Sequence, residues 1–317
     1  MDNAPLPGKA VGTGMNKSRL KASLHLLGSA LACLGVLFVA DRLYKYTGQV
    51  NLARFDALAW GLAAGLACVY GAANVFLACA WQHLLAFFHV EVERKWAVKV
   101  YGLSQLAKYV PGNIFHLAGR QALGMAAGVP ALALGKSTVW ELALLAVTGL
   151  LFGVLALPLV WPSVPVSVAV GSFIVLFFST IVILRWLSFS SLSVAFCWQL
   201  VFLVISGAVF LGALAIIGPT AETLLSLPVW CGAYVIAWLA GLVTPGAPAG
   251  VGVREMVLLF LFRSQVVPGD LLFAIVLGRI ITVVGDILYF AFSLLIGAYS
   301  FSPTRRRSFQ CGQTEEK

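Results

Sequence analysis

Two apolar stretches of this chain are each interrupted by a Pro-Gly pair, and each delivers an arginine nine residues after the proline. The first break is Pro111-Gly112, followed by Arg120, and the second is Pro245-Gly246, followed by Arg254. Proline blocks the continuation of a helix, and glycine adopts backbone angles that other residues avoid. Inside a membrane such a break is tolerated only where protein or a water-filled cavity surrounds the exposed backbone. Broken segments at matching places in two halves of a chain therefore indicate a transport site.

The composition is that of a membrane protein. Of the 317 residues, 61% are hydrophobic and 10% are charged, whereas soluble domains carry about 25% charged residues. The formal net charge is +9, and because the basic residues lie at the ends of apolar segments, it indicates membrane orientation rather than nucleic-acid binding. The six cysteines form no Cys-x-x-Cys or Cys/His cluster, so neither a metal site nor a disulfide framework is predicted. We expect no cofactor and no nucleic-acid partner.

The apolar runs predict an all-α polytopic membrane protein with about six transmembrane helices, since one crossing takes about 20 residues. The predicted spans are Leu24–Ala40, Ala57–Leu85, Thr138–Val160, Val166–Leu184, Leu192–Ile217 and Asp270–Ala298. No small-x-small cleavage site follows the first run, so it is predicted to be a retained helix rather than a signal peptide. Residues 1–22 are expected to be a flexible cytoplasmic tail, residues 23–300 a single integral membrane domain and residues 301–317 a basic cytoplasmic tail.

The two broken regions predict re-entrant helical hairpins near residues 96–127 and 228–262, because neither side of either break is long enough to span. This arrangement puts most basic residues and both termini on the cytoplasmic side, as the positive-inside rule prefers. If residues 228–243 crossed completely, the Arg305–Arg307 cluster would lie outside. The hairpins then enter from opposite faces, which predicts an inverted repeat. Glu141 and Arg279 support it, since each lies eleven residues after a proline that follows its hairpin.

Seven charged residues remain inside the predicted membrane region. The cations are Lys108, Arg120, Arg254 and Arg279, and the acids are Glu141, Glu255 and Asp286. A charge at the bilayer centre costs about 2.5–3.5 kcal/mol on insertion scales, so these groups need partners or a wet cavity. Two interpretations stay open, namely structural salt bridges near the interfaces and a central anion site. Four cations against three acids leave one positive charge nominally uncompensated, which a bound anion would neutralise.

The candidate site residues surround the two breaks. The candidate substrate-binding residues are Arg120, Arg254, Glu141, Glu255, Arg279, Lys108, Asn113 and His116, and the hairpin tips are assigned to Pro111, Gly112, Pro245, Gly246, Gly250 and Gly252. Arginine suits phosphate because its planar fork of donors matches phosphate oxygens, and helix N-termini after the breaks add positive dipole ends. The tip glycines permit either close backbone approach to a ligand or simply a tight turn. His116 is either a structural hydrogen-bonding residue or a ligand for phosphate or a proton.

Three elements carry a family resemblance: Leu106-Ala-Lys-Tyr-Val-Pro-Gly112 with Arg120, Glu141 in the following helix, and Pro245-Gly-Ala-Pro-Ala-Gly-Val-Gly-Val-Arg-Glu255. Together they resemble the flippase-like membrane region of lysylphosphatidylglycerol synthases, over roughly residues 20–300. The resemblance implies a free-standing protein of the bacterial inner membrane that handles a charged lipid, without the soluble domain that performs aminoacyl transfer. It does not carry over a substrate, because related free-standing proteins are linked to glycolipid, polyprenyl-phosphate-sugar and hopanoid pathways.

Three functions fit these residues. The first is a lipid flippase or scramblase, in which Arg120 and Arg254 hold an anionic, phosphate-bearing headgroup while Glu141, Glu255 and Arg279 hold the hairpin tips or gate access. The second is a membrane-embedded transferase that acts on a polyprenyl-phosphate sugar or a phospholipid, with Glu141 or Glu255 as the base. The third is a small-anion exchanger. The chain has no Asp-x-Asp motif in an aqueous loop, so we expect a transporter rather than an enzyme, with a membrane lipid as substrate and enzymes of a lipid or glycolipid pathway as potential partners.

Overall fold

The computed structural model describes residues 56–110, 114–217, 227–244, 250, 252–263, 265–266 and 268–297. The predicted first span, Leu24–Ala40, and both predicted tails lie outside these residues. Most of the described residues are helical and none lies in a strand. Five of the described helices are long and apolar enough to cross a membrane. The chain is therefore an all-α polytopic membrane protein, which confirms the predicted fold class.

Nine α-helices and one short 3-10 helix make up the described part of the chain. They are α1 (Ala57–Phe87), α2 (Arg94–Gln105), the 3-10 helix (Leu106–Tyr109), α3 (Phe115–Ala126), α4 (Ala131–Val160), α5 (Val166–Trp186), α6 (Ser190–Ile217), α7 (Leu227–Val243), α8 (Val253–Leu261) and α9 (Pro268–Leu295). The five long apolar helices are α1, α4, α5, α6 and α9.

Short helices flank both Pro-Gly breaks. Helix α2 and the 3-10 helix precede the first break and α3 follows it, while α7 and α8 lie on either side of the second. Helix α2 packs against α3, and α7 packs against α8, so each broken region folds back on itself. Helix α7 has 17 residues and α8 has 9, which at about 1.5 Å per residue is less than the roughly 30 Å of bilayer hydrocarbon. Helical hairpins are therefore present at both predicted positions.

A long helix follows each hairpin and begins at a proline. Helix α4 starts immediately after Pro130, and α9 starts at Pro268. The predicted start of the span at Thr138 was thus wrong by two helical turns. The helix extends further because Pro130 ends the preceding turn and presets the backbone for a helix, while Lys136 lies exposed on the surface of the first turns and does not interrupt it.

Small residues bring the long helices into close contact. Gly71 of α1 faces Gly285 of α9, and a Cβ on Gly71 would lie only 2.8 Å from the carbonyl oxygen of Gly285. Gly232 of α7 lies as tightly against α4, where a Cβ would be 2.6 Å from the carbonyl oxygen of Phe152. In lipid, van der Waals packing of this kind is a main source of helix association. Helix α5 differs, since Ala169 is its only buried residue, and it lies at the periphery.

The two hairpins pack on the bundle of α1, α4, α6 and α9. The first hairpin reaches the bundle through α2, which contacts α1 and α9, and through α3, which contacts α4. The second reaches it through α7, which contacts α4 and α6, and through α8, which contacts α9. Helices α4 and α9 therefore contact both hairpins or their flanks, and the polar side chains of both broken regions face the same interior.

Candidate functional site

A cavity of about 90 Å³ lies between the two hairpins and the bundle. One buried water needs about 10–15 Å³ on this kind of measure, so the space accommodates several waters or a small polar headgroup. Its walls come from both hairpins and from α1, α4, α6 and α9. The candidate residues among its lining are Lys108, His116, Glu141, Arg254 and Arg279. The structure thus brings five of the eight substrate-binding candidates to one cavity.

Arg120 of α3 and Glu141 of α4 form a buried, two-pronged ion pair. The Arg120 Nη1 donates to Glu141 Oε1 at 3.1 Å and Nη2 donates to Oε2 at 2.6 Å, and each side chain is 3% exposed. The Tyr101 hydroxyl also donates to Oε1, at 3.0 Å. The guanidinium carbon lies 4.3 Å from the centroid of the Tyr101 ring and 5.2 Å from that of Trp81. Arg120 is therefore enclosed and does not line the cavity, whereas the Glu141 carboxylate that it holds does.

A second ion pair, Glu255 with Arg279, fixes the start of α8. The Arg279 Nε and Nη2 both lie 2.8 Å from Glu255 Oε1, and the backbone N–H of Gly252 donates to Oε2 at 2.6 Å. Arg279 Nη2 also donates to the carbonyl of Gly250 at 3.2 Å. Gly250 and Gly252 have φ of +70° and +90°, and a Cβ on Gly250 would lie 2.6 Å from the Cα of Gly241. Both glycines therefore serve a tight turn, and Gly250 also permits close packing on α7.

A third pair, Lys108 with Asp286, joins the first hairpin to α9. The Lys108 Nζ lies 2.8 Å from Asp286 Oδ2, and the Tyr109 hydroxyl donates to the same oxygen at 2.5 Å. The other oxygen, Oδ1, accepts from Gln105 Nε2 at 3.2 Å and from Asn74 Nδ2 at 3.4 Å. Asp286 is fully buried, while the Lys108 side chain retains 18% exposure. The carboxylate is thus saturated with donors, and the lysine still reaches the cavity.

Arg254, the fourth cation, forms no ion pair with an acidic side chain of the described residues. It is 8% exposed, and its guanidinium carbon lies 4.4 Å from the centroid of the Tyr234 ring. The Tyr234 hydroxyl in turn forms a hydrogen bond of 3.2 Å with that of Ser206. Within the described part of the chain, each of the three acids forms its ion pair with one of the other cations. The positive charge that the sequence count leaves over therefore resides on Arg254.

The two broken regions carry different charges at equivalently spaced positions. Arg120 and Arg254 lie at the same distance after their prolines, and Glu141 and Arg279 lie at equivalent positions of the following helices. In the first repeat these positions hold opposite charges, and they pair. In the second repeat both are arginines and cannot pair, so Arg279 binds Glu255 instead. The equal spacing thus places opposite charges together in the first region and like charges in the second.

Four of the six lining residues that retain partial exposure are apolar, and the other two are Lys108 and His116. Leu117, Leu142, Trp238 and Leu242 line the cavity and retain partial exposure. His116, on the same turn of α3 as Leu117, has a buried Nδ1 without a hydrogen-bond partner among the described residues. The cavity therefore combines cationic and hydrogen-bonding groups with an apolar opening.

Several candidates fall outside the described residues, namely Asn113, Pro111, Gly112, Pro245 and Gly246. Sequence reasoning missed the aromatic and amide groups that complete the site, above all Tyr101, Tyr234 and Asn74. A signal existed for Asn74, because a buried amide within an apolar run needs a polar partner. The described residues contain no group of three or more His, Cys, Asp or Glu side chains that could hold a metal ion.

The chain matches no protein-family model, and no curated protein matches it at a significant level. The family resemblance of the two broken segments therefore stays a prediction, and the function is argued from the site.

Proposed function

We propose that this protein is a lipid flippase or scramblase that moves an anionic, phosphate-bearing lipid between the two leaflets of a membrane. The observation that carries the proposal is the buried guanidinium of Arg254, which has no carboxylate partner in the described part of the chain and lines a cavity with an apolar opening. A buried cation without a counter-charge is costly. A bound anion would remove that cost whenever the site is occupied.

The neighbouring groups suit a phosphate. Arg254 offers a planar fork of donors, and charge-assisted hydrogen bonds to phosphate are among the stronger ones in proteins. Lys108 lines the same cavity and is partly exposed. The Nδ1 of His116, which has no partner among the described residues, offers a further hydrogen-bonding group. Arg120 acts indirectly in this proposal, because both of its terminal nitrogens are bonded to Glu141. It positions that carboxylate rather than touching the headgroup.

The apolar opening favours a lipid over a water-soluble anion. A soluble anion would have to shed its hydration shell against Leu117, Leu142 and Leu242, which offer no hydrogen bonds in return. A lipid headgroup can enter the cavity while its acyl chains stay among these side chains and the surrounding lipid. The cavity volume of about 90 Å³ agrees, since it holds a headgroup but not a whole lipid.

The environment of the acids favours transport over transfer. Both oxygens of Glu141 and both oxygens of Glu255 already accept hydrogen bonds. A general base must be placed within reach of the proton that it removes, whereas these carboxylates are held by guanidinium groups of neighbouring helices. We further propose that the hairpins enter from opposite faces of a bacterial inner membrane, with both termini cytoplasmic. The proposal is supported by the distribution of basic residues and by the family resemblance.

Leaflet exchange in liposomes tests the proposal. The purified protein is reconstituted with a fluorescent phospholipid and, separately, with a fluorescent polyprenyl-phosphate lipid, and an external quencher reports the fraction of dye in the outer leaflet. We expect exchange of at least one lipid, lost in Arg254→Met and kept in Arg263→Met, which removes an exposed cation beyond the end of α8. A product of changed mass without exchange would indicate a transferase. Uptake of a water-soluble anion would indicate an exchanger.

A further inference from the structure

We infer that the cavity accepts a headgroup carrying a single negative charge, as in a phosphodiester-linked lipid, and discriminates against a diphosphate linkage. This inference rests on the proposed function and specifies its substrate class. It follows from the charge balance of the described part of the site, in which three ion pairs cancel and only Arg254 contributes a net charge. One phosphodiester makes the occupied site neutral, whereas a diphosphate leaves one charge in excess.

The other cations of the cavity are not free to balance a second charge. If Arg279 turned to a ligand, Glu255 would lose its ion pair and the Gly250 carbonyl would lose a donor. If Lys108 turned to a ligand, the fully buried carboxylate of Asp286 would keep only neutral donors. Removing one partner of a buried ion pair is strongly unfavourable. A second phosphate could therefore bind a cation only if Glu255 or Asp286 lost its own counter-charge.

His116 does not change this balance. No acidic side chain of the described residues bonds to its ring, and Lys108 and Arg254 line the same cavity. A further positive charge beside these cations would be repelled, so the imidazole supplies a hydrogen-bonding partner rather than a charge.

The test compares two lipids that differ only in the linkage. Both carry the same fluorescent prenyl chain and the same sugar, joined either by a phosphodiester or by a diphosphate, and leaflet exchange is measured for each with the full-length protein. We expect exchange of the phosphodiester to be faster by about tenfold or more, given the cost of an uncompensated charge inside a membrane. Equal rates, or faster exchange of the diphosphate, would overturn the inference and leave the flippase proposal standing. If neither lipid is exchanged, and phospholipid is not either, the flippase proposal itself fails.

Charge variants provide the second arm. Glu255→Gln keeps a side chain that caps α8 but removes the carboxylate that pairs with Arg279, and Leu117→Lys adds a cation at the opening without breaking an ion pair. We expect both variants to lower the ratio of the phosphodiester exchange rate to the diphosphate exchange rate by about fivefold or more. The control Glu91→Gln makes an equal change of charge in an exposed segment and should leave this ratio unchanged. An unshifted ratio in a folded Glu255→Gln or Leu117→Lys protein would contradict the inference.

Discussion

Replacing one partner of the Arg120–Glu141 pair should destabilise the protein more than replacing both. The two side chains are joined by hydrogen bonds of 3.1 and 2.6 Å and are each 3% exposed. In Arg120→Met the Glu141 carboxylate keeps the Tyr101 hydroxyl as a donor but loses its counter-charge. In Glu141→Gln the guanidinium stays between the rings of Tyr101 and Trp81 without an anion.

The magnitude follows from the burial of this pair. Breaking a buried ion pair by removing one partner costs about 3–5 kcal/mol, whereas replacing both partners by uncharged groups is close to neutral. We therefore expect each single variant to lose about 3 kcal/mol of unfolding free energy and the double variant, Arg120→Met with Glu141→Gln, to lose about 1 kcal/mol. The implied coupling energy is large for side chains in direct contact.

Reversible unfolding in mixed detergent micelles, followed by circular dichroism, measures these differences. Lys136→Met is the matched control, since Lys136 is an exposed cation on α4 and its loss should stay within about 0.5 kcal/mol of the parent protein. The reasoning is refuted if the single variants are as stable as this control, or if the losses of the two single variants simply add in the double variant.

Three further predictions concern other contacts. Arg254→Met should raise the unfolding free energy by about 1 kcal/mol, because the cost of an unpaired buried cation exceeds the cation–π attraction that is lost; a less stable variant in the same micelle titration would contradict this. Gly285→Ala should lower the free energy of unfolding by about 1–3 kcal/mol, since its Cβ would lie 2.7 Å from a backbone oxygen of α1. The control Gly61→Ala, whose Cβ would have no atom within 4 Å, should be neutral or stabilising in thermal unfolding. Lys108→Met should destabilise the protein by about 3 kcal/mol and Lys108→Met with Asp286→Asn, which keeps an acceptor for the Tyr109 hydroxyl, by less; a double variant that loses as much as the single variant would contradict this.

The helices were largely predictable because membrane length and apolar composition are local properties of the chain. Two short helices around each Pro-Gly break were also predictable, since proline stops a helix and the flanking runs are too short to span. The start of α4 was not, because the helix continues through Lys136, whose exposed side chain costs nothing outside the apolar run. Apolar periodicity alone marks where a helix is buried in lipid rather than where it begins.

The sequence predicted that the intramembrane charges are unbalanced, but it could not predict which residues form ion pairs. Counting showed one surplus cation, but equal spacing made Arg120 and Arg254 look equivalent, with both expected at the headgroup. The packing of α3 against α4 is needed to show that Arg120 forms an ion pair with Glu141. The turn at Gly252 is needed to show that Glu255 pairs with Arg279. These contacts join different helices, so no local pattern distinguishes the bound arginine from the free one.

Photochemical mapping of a bound lipid tests the central claim most directly. One phospholipid carries a photoreactive group on its headgroup and a second carries the same group at the end of an acyl chain, and labelled peptides of the reconstituted protein are identified by mass spectrometry. We predict that the headgroup probe labels the segments that contain His116 and Arg254, and that the acyl-chain probe labels the surface around Leu142 and Trp238. Labelling of the helix ends alone by the headgroup probe, unchanged by Arg254→Met, would contradict the account.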